Sequence, residues 1–226
     1  MKLLVVAAMY TEIEGLILRL GAEKSGNLNG MDWYFRKMNH AAIHLVQCGV
    51  GKVNAAAISQ HAIILFQPDL LIITGIAGSM HGNNRIGDII IARELAHHDV
   101  SRGQMKHCFP YQSAFFPDEK AFRELQTMGQ EYEAGKVKSG KIVSGERFIK
   151  DSEKKRKIQE AHRPDCVDME SAAIAHTAFI NHVPFVCIRT ICDHANDDSL
   201  EDFSSFEKES ADLSSRFTFE FIIRIT

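Results

Sequence analysis

The sequence predicts an α/β fold: three layers, α/β/α, with helices on both faces of a central mixed, mostly parallel twisted sheet, in one domain spanning residues 1–226. Three observations predict it. Strand-length apolar runs alternate along the chain with stretches of helical periodicity, the pattern of strands joined by crossover helices. The first of these runs, Leu3–Ala8, is continuously apolar, as a strand covered on both faces must be. No internal repeat, low-complexity segment or linker interrupts the 226 residues, a length within the range of one α/β unit.

The elements follow in order. Leu3–Ala8 is a buried strand; its apolar run ends at Tyr10-Thr11-Glu12 without a small-residue cleavage site, which argues against a signal peptide. Thr11-Glu12-Ile13-Glu14 has capping-box spacing, Thr then Glu three later, and opens an amphipathic helix through Leu20. Trp33–Met38 and Ala42–Cys48 pair as a hairpin about Asn39-His40. A helix from about Lys52 to Phe66 is stopped by Pro68. Asp69–Thr74 is a second buried strand, followed by a glycine-rich turn, Thr74-Gly75-Ile76-Ala77-Gly78-Ser79. Gly87–Ala96 is a strand, and His97–Phe116, which has no clear period, a long ordered loop. Pro117–Met128 is helical, Gly140–Val143 a strand and Lys150–Ala161 a charged surface helix. Glu170 opens a helix whose body is Ile174–Val183; Pro184–Cys192 is an apolar strand, and Phe203–Ile223 closes the chain as a helix.

Composition narrows the class. Apolar residues make up 45% and charged residues 24% of the chain, as in soluble globular proteins. A chain of this size buries roughly 70% of its unfolded surface and needs no staple. The formal net charge of −3 gives no electrostatic case for a nucleic-acid or anionic-membrane partner, and no apolar run reaches the ~18 residues of a membrane span. Five scattered cysteines, three of them in strand-like segments (Cys48, Cys187, Cys192), suit reduced thiols in a cytoplasm. The 52–66 helix is apolar on nearly every face, so its outer side needs cover too. A second copy of the chain is the expected cover, which predicts a homodimer; deep burial within one monomer is the alternative.

Several motifs lack their context. Gly49-Val50-Gly51-Lys52-Val53-Asn54-Ala55 nearly fits a dinucleotide fingerprint, but its third small residue comes late and no acidic residue closes a second strand. Lys52 is followed by Val53, so this is no P-loop. His97-His98-Asp99 is the densest histidine cluster, yet adjacent residues at a strand end point to opposite faces; no metal and no organic cofactor is expected. A Ser/His/Asp hydrolase would want a G-x-S-x-G elbow, which is absent.

The carboxylates hold up better. Glu12 follows the first strand, Glu170 sits in a helix's first turn, and Asp193 lies just past an apolar strand. In open α/β sheets ligands bind at such strand ends. The helix dipole favours an ionised Glu170 by ~0.3–1 kcal/mol, and an acceptor-only carboxylate suits sugar hydroxyls. Taken singly, each can also be a cap, a turn residue or a solvated first-turn residue.

At these residues the chain resembles the 5′-methylthioadenosine/S-adenosylhomocysteine nucleosidases of the nucleoside phosphorylase superfamily. The resemblance covers nearly the whole length and rests on Ala8-Met9 with Glu12, Cys48–Ala56, Thr74-Gly75-Ile76-Ala77-Gly78, Gly87-Asp88-Ile89, His98-Asp99, Val143–Ile149, Val167-Asp168-Met169-Glu170 and Arg189-Thr190-Ile191-Cys192-Asp193. It implies a nucleoside phosphorylase-like fold and cleavage of the N-glycosidic bond of 5′-thio-substituted adenine nucleosides. It also implies roles. Asp193 protonates adenine at N7; Glu12 holds and deprotonates water, with Arg189 helping to position it. Glu170 binds the ribose hydroxyls and Met169 packs against the sugar. Phe148 stacks on adenine and the backbone of Ile149 reads its edge. Val50 and Phe203 line the 5′-thioalkyl pocket, part of whose wall the partner's 97–116 loop lends. Met9, Ala77 and Gly78 complete the substrate-binding set. Asp193 must then be protonated, through burial and neighbouring carboxylate charge, while Glu12 and Glu170 stay ionised.

Three departures stand out: Ile76 where the family commonly has a small polar residue, Cys192 where it commonly has serine, and a 97–116 loop that matches poorly. Rival readings are a phosphorylase, a futalosine-type nucleoside hydrolase and a non-catalytic nucleoside sensor. A phosphorylase wants arginines at the glycine-rich loops, whereas the first loop supplies Glu12; Arg85 and Arg93 could serve only if the loop after Gly78 turned inward. Methylthioadenosine, S-adenosylhomocysteine and 5′-deoxyadenosine are not ranked by the sequence.

Overall fold

The computed structural model describes residues 1–226. In chain order the elements are β1 (Lys2–Ala7), α1 (Tyr10–Leu20), β2 (Glu23–Leu28), β3 (Met31–Met38), β4 (Ala41–Gln47), α2 (Lys52–Phe66), β5 (Leu70–Ser79), β6 (Ile89–His97), α3 (Arg102–His107), α4 (Glu119–Gly129), β7 (Val137–Ser144), α5 (Ser152–His162), β8 (Cys166–Asp168), α6 (Ser171–Ile180), β9 (Phe185–Asp193) and α7 (Ser199–Ile225).

One nine-stranded sheet, ordered β2-β3-β4-β1-β5-β8-β7-β6-β9, runs through the molecule. Because β9 also pairs with β5, the last five strands close on themselves. Five of the nine ladders are parallel (β1–β4, β1–β5, β5–β9, β6–β7, β7–β8) and four antiparallel, the mixed, mostly parallel sheet expected. Strand alternation sorts the core into two sides. Leu4, Val6, Leu71 and Ile73 face Ala55, Ile58, Ala62 and Ile63 of α2 and the small residues Ala172–Ala178 of α6. Leu3, Val5, Leu70 and Ile72 face Ile13 and Leu16 of α1, Leu125 of α4 and Phe217, Phe221 and Ile222 of α7. These are the three layers.

Several expected boundaries move. The glycine-rich stretch 74–79 is not a turn: it continues β5, ten residues all buried, because its residues pair with β9 and β8. The capping box of α1 lies two residues earlier than expected. Met9 is the N-cap and the Glu12 side chain reaches back to it, while Thr11 Oγ1 donates to Glu207 Oε1 of α7 at 2.8 Å. The polar edge strand β2 (Glu23–Leu28) and the three-residue β8 carry no apolar run that sequence reasoning could find. The 97–116 stretch begins with the end of β6, holds the short helix α3, and returns to the sheet through a Leu95–Phe115 bridge. Both β7 and α7 exceed their expected lengths.

On α2, Val53, Ile64 and Leu65 are 76%, 65% and 53% exposed, so one chain leaves the outer face of this helix uncovered. All five cysteines are free.

Candidate active site

The site forms where the ends of β1, β4, β5 and β9 meet those of β7 and β8, which run the other way. β5 bridges the two sets: Gly75 pairs with Arg189, and Gly78 with both Asp193 and Val167. Gly75 has φ +147°, and a Cβ there would collide with Arg189 Nη1 and Glu12 Oε1, so only glycine lets the strand pass beneath this ion pair.

Glu12 is 2% exposed and bonded on both oxygens. Its Oε2 accepts from the N–H groups of Ala8 (2.9 Å) and Met9 (2.8 Å); its Oε1 accepts from Ile76 N–H (2.8 Å) and lies 3.4 Å from Arg189 Nη1. A solvated first-turn role is thereby excluded. Burial pushes its pKa up, against Arg189 and the three backbone donors, which pull it down.

Arg189, on β9, is fully buried. Its Nη1 donates to Thr74 O (3.0 Å), and its Nε to Asp168 Oδ2 and Ser171 Oγ (2.9 Å each). Its Nη2 has no protein acceptor.

Glu170 does not cap its own helix. The N–H groups of Glu170 and Ser171 donate to Asp168 Oδ1, both at 3.2 Å, and Glu170 Oε1 instead accepts from Gly51 N–H at 2.7 Å. Burial, then the charge of Asp168, raises its pKa to about 8. Burial and the charge of Asp168 thus oppose the helix dipole, which favours the ionised form.

Asp193 ends β9 and is 3% exposed. Cys192 has no partner on β5: Ala77 pairs with Ile191 and Gly78 with Asp193, a one-residue bulge of the kind that re-aims a side chain beside a site. A Cβ at Gly78 would lie 2.7 Å from Asp193 Oδ1, so the glycine makes room for the carboxyl. Ala195 N–H donates to Asp193 Oδ1 at 2.7 Å. Burial raises this pKa, aided by Asp202; Ala195 N–H and Ser199 oppose it. The neighbouring charge is therefore Asp202, rather than Glu12 or Glu170.

Gly78, Phe148, Ile149, Met169 and Asp193 come together around one cavity of about 30 Å³, with Arg147, Val167 and Asp168. The Phe148 and Phe203 rings meet edge to face, centroids 5.7 Å apart. Met9 and Phe203 pack on the cluster of Ile76, Cys192 and Ala211. Glu12, Arg189, Glu170, Met9 and Phe203 do not line this cavity, and neither do Ala77 and Val50. Ala77 lies in the core on the α2 and α6 side, and Val50 is 48% exposed in the loop after β4.

The chain's model-level match is to the phosphorylase superfamily, over residues 2–223. It is 33% identical over 219 residues to the 5′-methylthioadenosine/S-adenosylhomocysteine nucleosidase of Maridesulfovibrio salexigens, an alignment covering 93% of this chain and 94% of the relative. The chain belongs to this nucleosidase family. Among solved structures, the nucleosidase from Neisseria meningitidis in complex with methylthio-immucillin-A superposes with a TM-score of 0.91 at 30% identity, covering 98% of each chain. The S-adenosylhomocysteine nucleosidase from Streptococcus pyogenes in complex with 5-methylthiotubericidin gives 0.92 at 26% identity, over 100% of this chain and 98% of that one.

The departures from the family pattern have local explanations. Ile76 supplies a backbone N–H to Glu12 while its side chain joins the apolar cluster under Phe203. Cys192 packs in that same cluster, and the bulge, Ala195 and Ser199 orient Asp193 without a serine at 192. Arg85 lines a separate cleft with Asp88, Glu133, Lys136 and Lys138. Sequence reading assigned no role to Ser144, Asp168 or Ser171, which surround Arg189. The one available signal was an acidic residue two positions before Glu170.

Proposed function

We propose that this member of the nucleosidase family hydrolyses the N-glycosidic bond of adenine nucleosides carrying a 5′-thioether, 5′-methylthioadenosine and S-adenosylhomocysteine, to adenine and the 5-substituted ribose. The observation that carries the hydrolytic reading is the bonding of Glu12. The N–H groups of Ala8, Met9 and Ile76, donors that could cradle an anion at these loops, are all given to the protein's own carboxylate. A phosphate brought to this point would meet a negative charge, whereas a water would meet a base.

The reaction then follows from the residues. Departure of the base leaves an oxocarbenium-like sugar, which needs an acid at the base and a carboxylate near the water. Asp193, protonated in its buried setting, gives its proton to N7 of adenine. Glu12, whose raised pKa makes it a better base than an exposed glutamate, takes a proton from water, and Arg189 Nη2 is the donor assigned to orient that water. In its ionised form Glu170 accepts from the ribose hydroxyls at Oε2; Met169 packs on the sugar. Phe148 stacks on the base, with Ile149 at its edge and Gly78 at its floor. A cavity of about 30 Å³ is too small for a purine, so its entry needs a rearrangement of the lining, which includes Phe148. Met9, Phe203 and Val50 line the 5′ side, with Ala77 supporting it from the core.

The active unit is residues 1–226 as one domain in a cytoplasmic homodimer, with the exposed face of α2 against the partner. The reading uses no metal or organic cofactor; no group of three His, Cys, Asp or Glu side chains is placed to hold a metal ion. No helix is long and apolar enough to cross a membrane.

The test is incubation with 5′-methylthioadenosine in phosphate-free buffer, following adenine by chromatography, then repetition with phosphate. Equal release in both is expected. Release that requires phosphate would make the protein a phosphorylase and remove the role given to Glu12; thermal stabilisation by the nucleoside without release would make it a sensor.

A further inference from the structure

We infer that Asp168 is a positioning residue for this reaction: it holds the Arg189 guanidinium in line with Glu12 and fixes the turn that presents Glu170. The inference rests on the hydrolytic reading above. Asp168 is 8% exposed and ends β8, and five donors from three elements and the turn between them converge on its two oxygens. Oδ1 accepts from Ser144 Oγ at the end of β7 and from the N–H groups of Glu170 and Ser171. Oδ2 accepts from Ser171 Oγ of α6 and from Arg189 Nε of β9. A carboxylate offers about four lone-pair sites, so this one is saturated by the protein and does not serve the substrate directly, although the residue borders the base cavity.

The same bonds reach both working groups. Arg189 is gripped at Nε by Asp168 and Ser171 and at Nη1 by Thr74 O, which leaves its outer edge toward Glu12. Ser144 adds a second tie, because its Oγ also accepts from Ala172 N–H at 2.8 Å, locking the first turn of α6 behind Glu170. Asp168 therefore links the water-activating side of the site to its ribose-binding side.

Asp168 also acts through its charge. The titratable groups facing Glu170 are Asp168, Arg189, Glu12 and the Cys48 thiol; those facing Asp168 include Arg189, the Cys166 and Cys187 thiols, His97 and His98. Of the charges that raise Glu170's pKa, that of Asp168 is the largest.

The test is Asp168→Asn, which keeps the shape and removes the charge. Misplacing a positioned group can cost roughly 100-fold, so kcat is expected to fall by that order, with KM rising as the turn that presents Glu170 loosens. The acid limb of kcat/KM should move to lower pH, and Asp168→Glu, which keeps the charge, should hold that limb near its wild-type position. Wild-type kcat in Asp168→Asn overturns the inference, and so does a lower melting temperature with an unmoved acid limb. If Asp168→Asn does not fold, Ser144→Ala decides: a several-fold loss of kcat supports the role, and wild-type kcat overturns it. An inactive wild-type protein would sink the hydrolytic reading instead. The pH dependence of melting would then still report on Asp168, becoming shallower in Asp168→Asn if its charge acts on Glu170 and staying unchanged if it does not.

Discussion

Gly51 N–H donates to Glu170 Oε1 at 2.7 Å, joining a loop and a helix start that lie 119 residues apart in sequence. The bond fixes one oxygen of the carboxylate and leaves the other for a ligand. It also ties the group proposed to bind ribose to Val50, the neighbour of Gly51, and so to the proposed 5′ side of the site.

This loop tolerates little. Gly51 has φ +97°, and a Cβ on it would lie 2.9 Å from Glu146 Oε2. Gly51→Ala is expected to shift the loop, free Glu170 and raise KM for the nucleoside about tenfold or more, while kcat falls less. Steady-state kinetics on the purified variant checks this; an unchanged KM would show that the bond does not position Glu170.

The two carboxyls proposed to react should affect turnover rather than binding. Glu12→Gln and Asp193→Asn are each expected to lose roughly 10²–10⁴-fold in kcat, the usual contribution of one general acid or base. Binding of a non-hydrolysable analogue should survive both changes, as measured by calorimetry. Near-normal turnover in Asp193→Asn would end its assignment as the acid.

Stability should fall as pH rises. Glu170 has a folded-state pKa near 8, above the value of about 4.5 expected of it unfolded. Between these values the folded protein binds more protons than the unfolded one, so stability falls with pH. The contribution is fully present below pH 4.5 and lost as pH rises through 8. His44, His97, His98, His162 and His176, with pKa values lowered by burial, act in the opposite sense up to about pH 6.5. Melting temperatures should therefore decline in the wild type across pH 7–8 and flatten there in Glu170→Gln; equal slopes would refute the assignment.

The exposed face of α2 carries the dimer prediction. Val53→Asp places a charge where an apolar surface 76% exposed in one chain is proposed to meet a partner. Light scattering should give a dimer for the wild type and a monomer for the variant. A monomeric wild type would leave this face without the proposed cover.

The layers were legible because Leu3–Ala8 and the residues after Asp69 are apolar without interruption, and period and length then distinguish strand from helix. Glu12, Glu170 and Asp193 were legible because acidic residues beside apolar runs stand out. What sequence could not give was the count of bonds on each. The same Glu170 reads as a helix cap until Asp168 is seen to take that role and Gly51 to claim its side chain. The 74–79 stretch was misread because glycines that usually mark a turn here mark crowding: Gly75 passes under an ion pair and Gly78 makes room for Asp193. In α7, Ser210, Ser214 and Thr218 carry no signal of their partners in the sequence. They are buried and bond to Ile191 O, Gly75 N–H and Thr74 Oγ1, partners that only the fold brings near.

That serine–threonine stripe gives α7 a mechanical character. The helix is 27 residues long, about 40 Å at 1.5 Å per residue. It is pinned at Ser210, Ser214 and Thr218, with Phe203 on one side and Phe217 and Phe221 on the other. Phe203 packs beside Ile76 and Cys192 at the proposed 5′ side of the site, while Phe217 and Phe221 are seated in the core toward the other end of the same helix. A search for altered 5′ preference should therefore include the length of α7 as well as the pocket-lining positions.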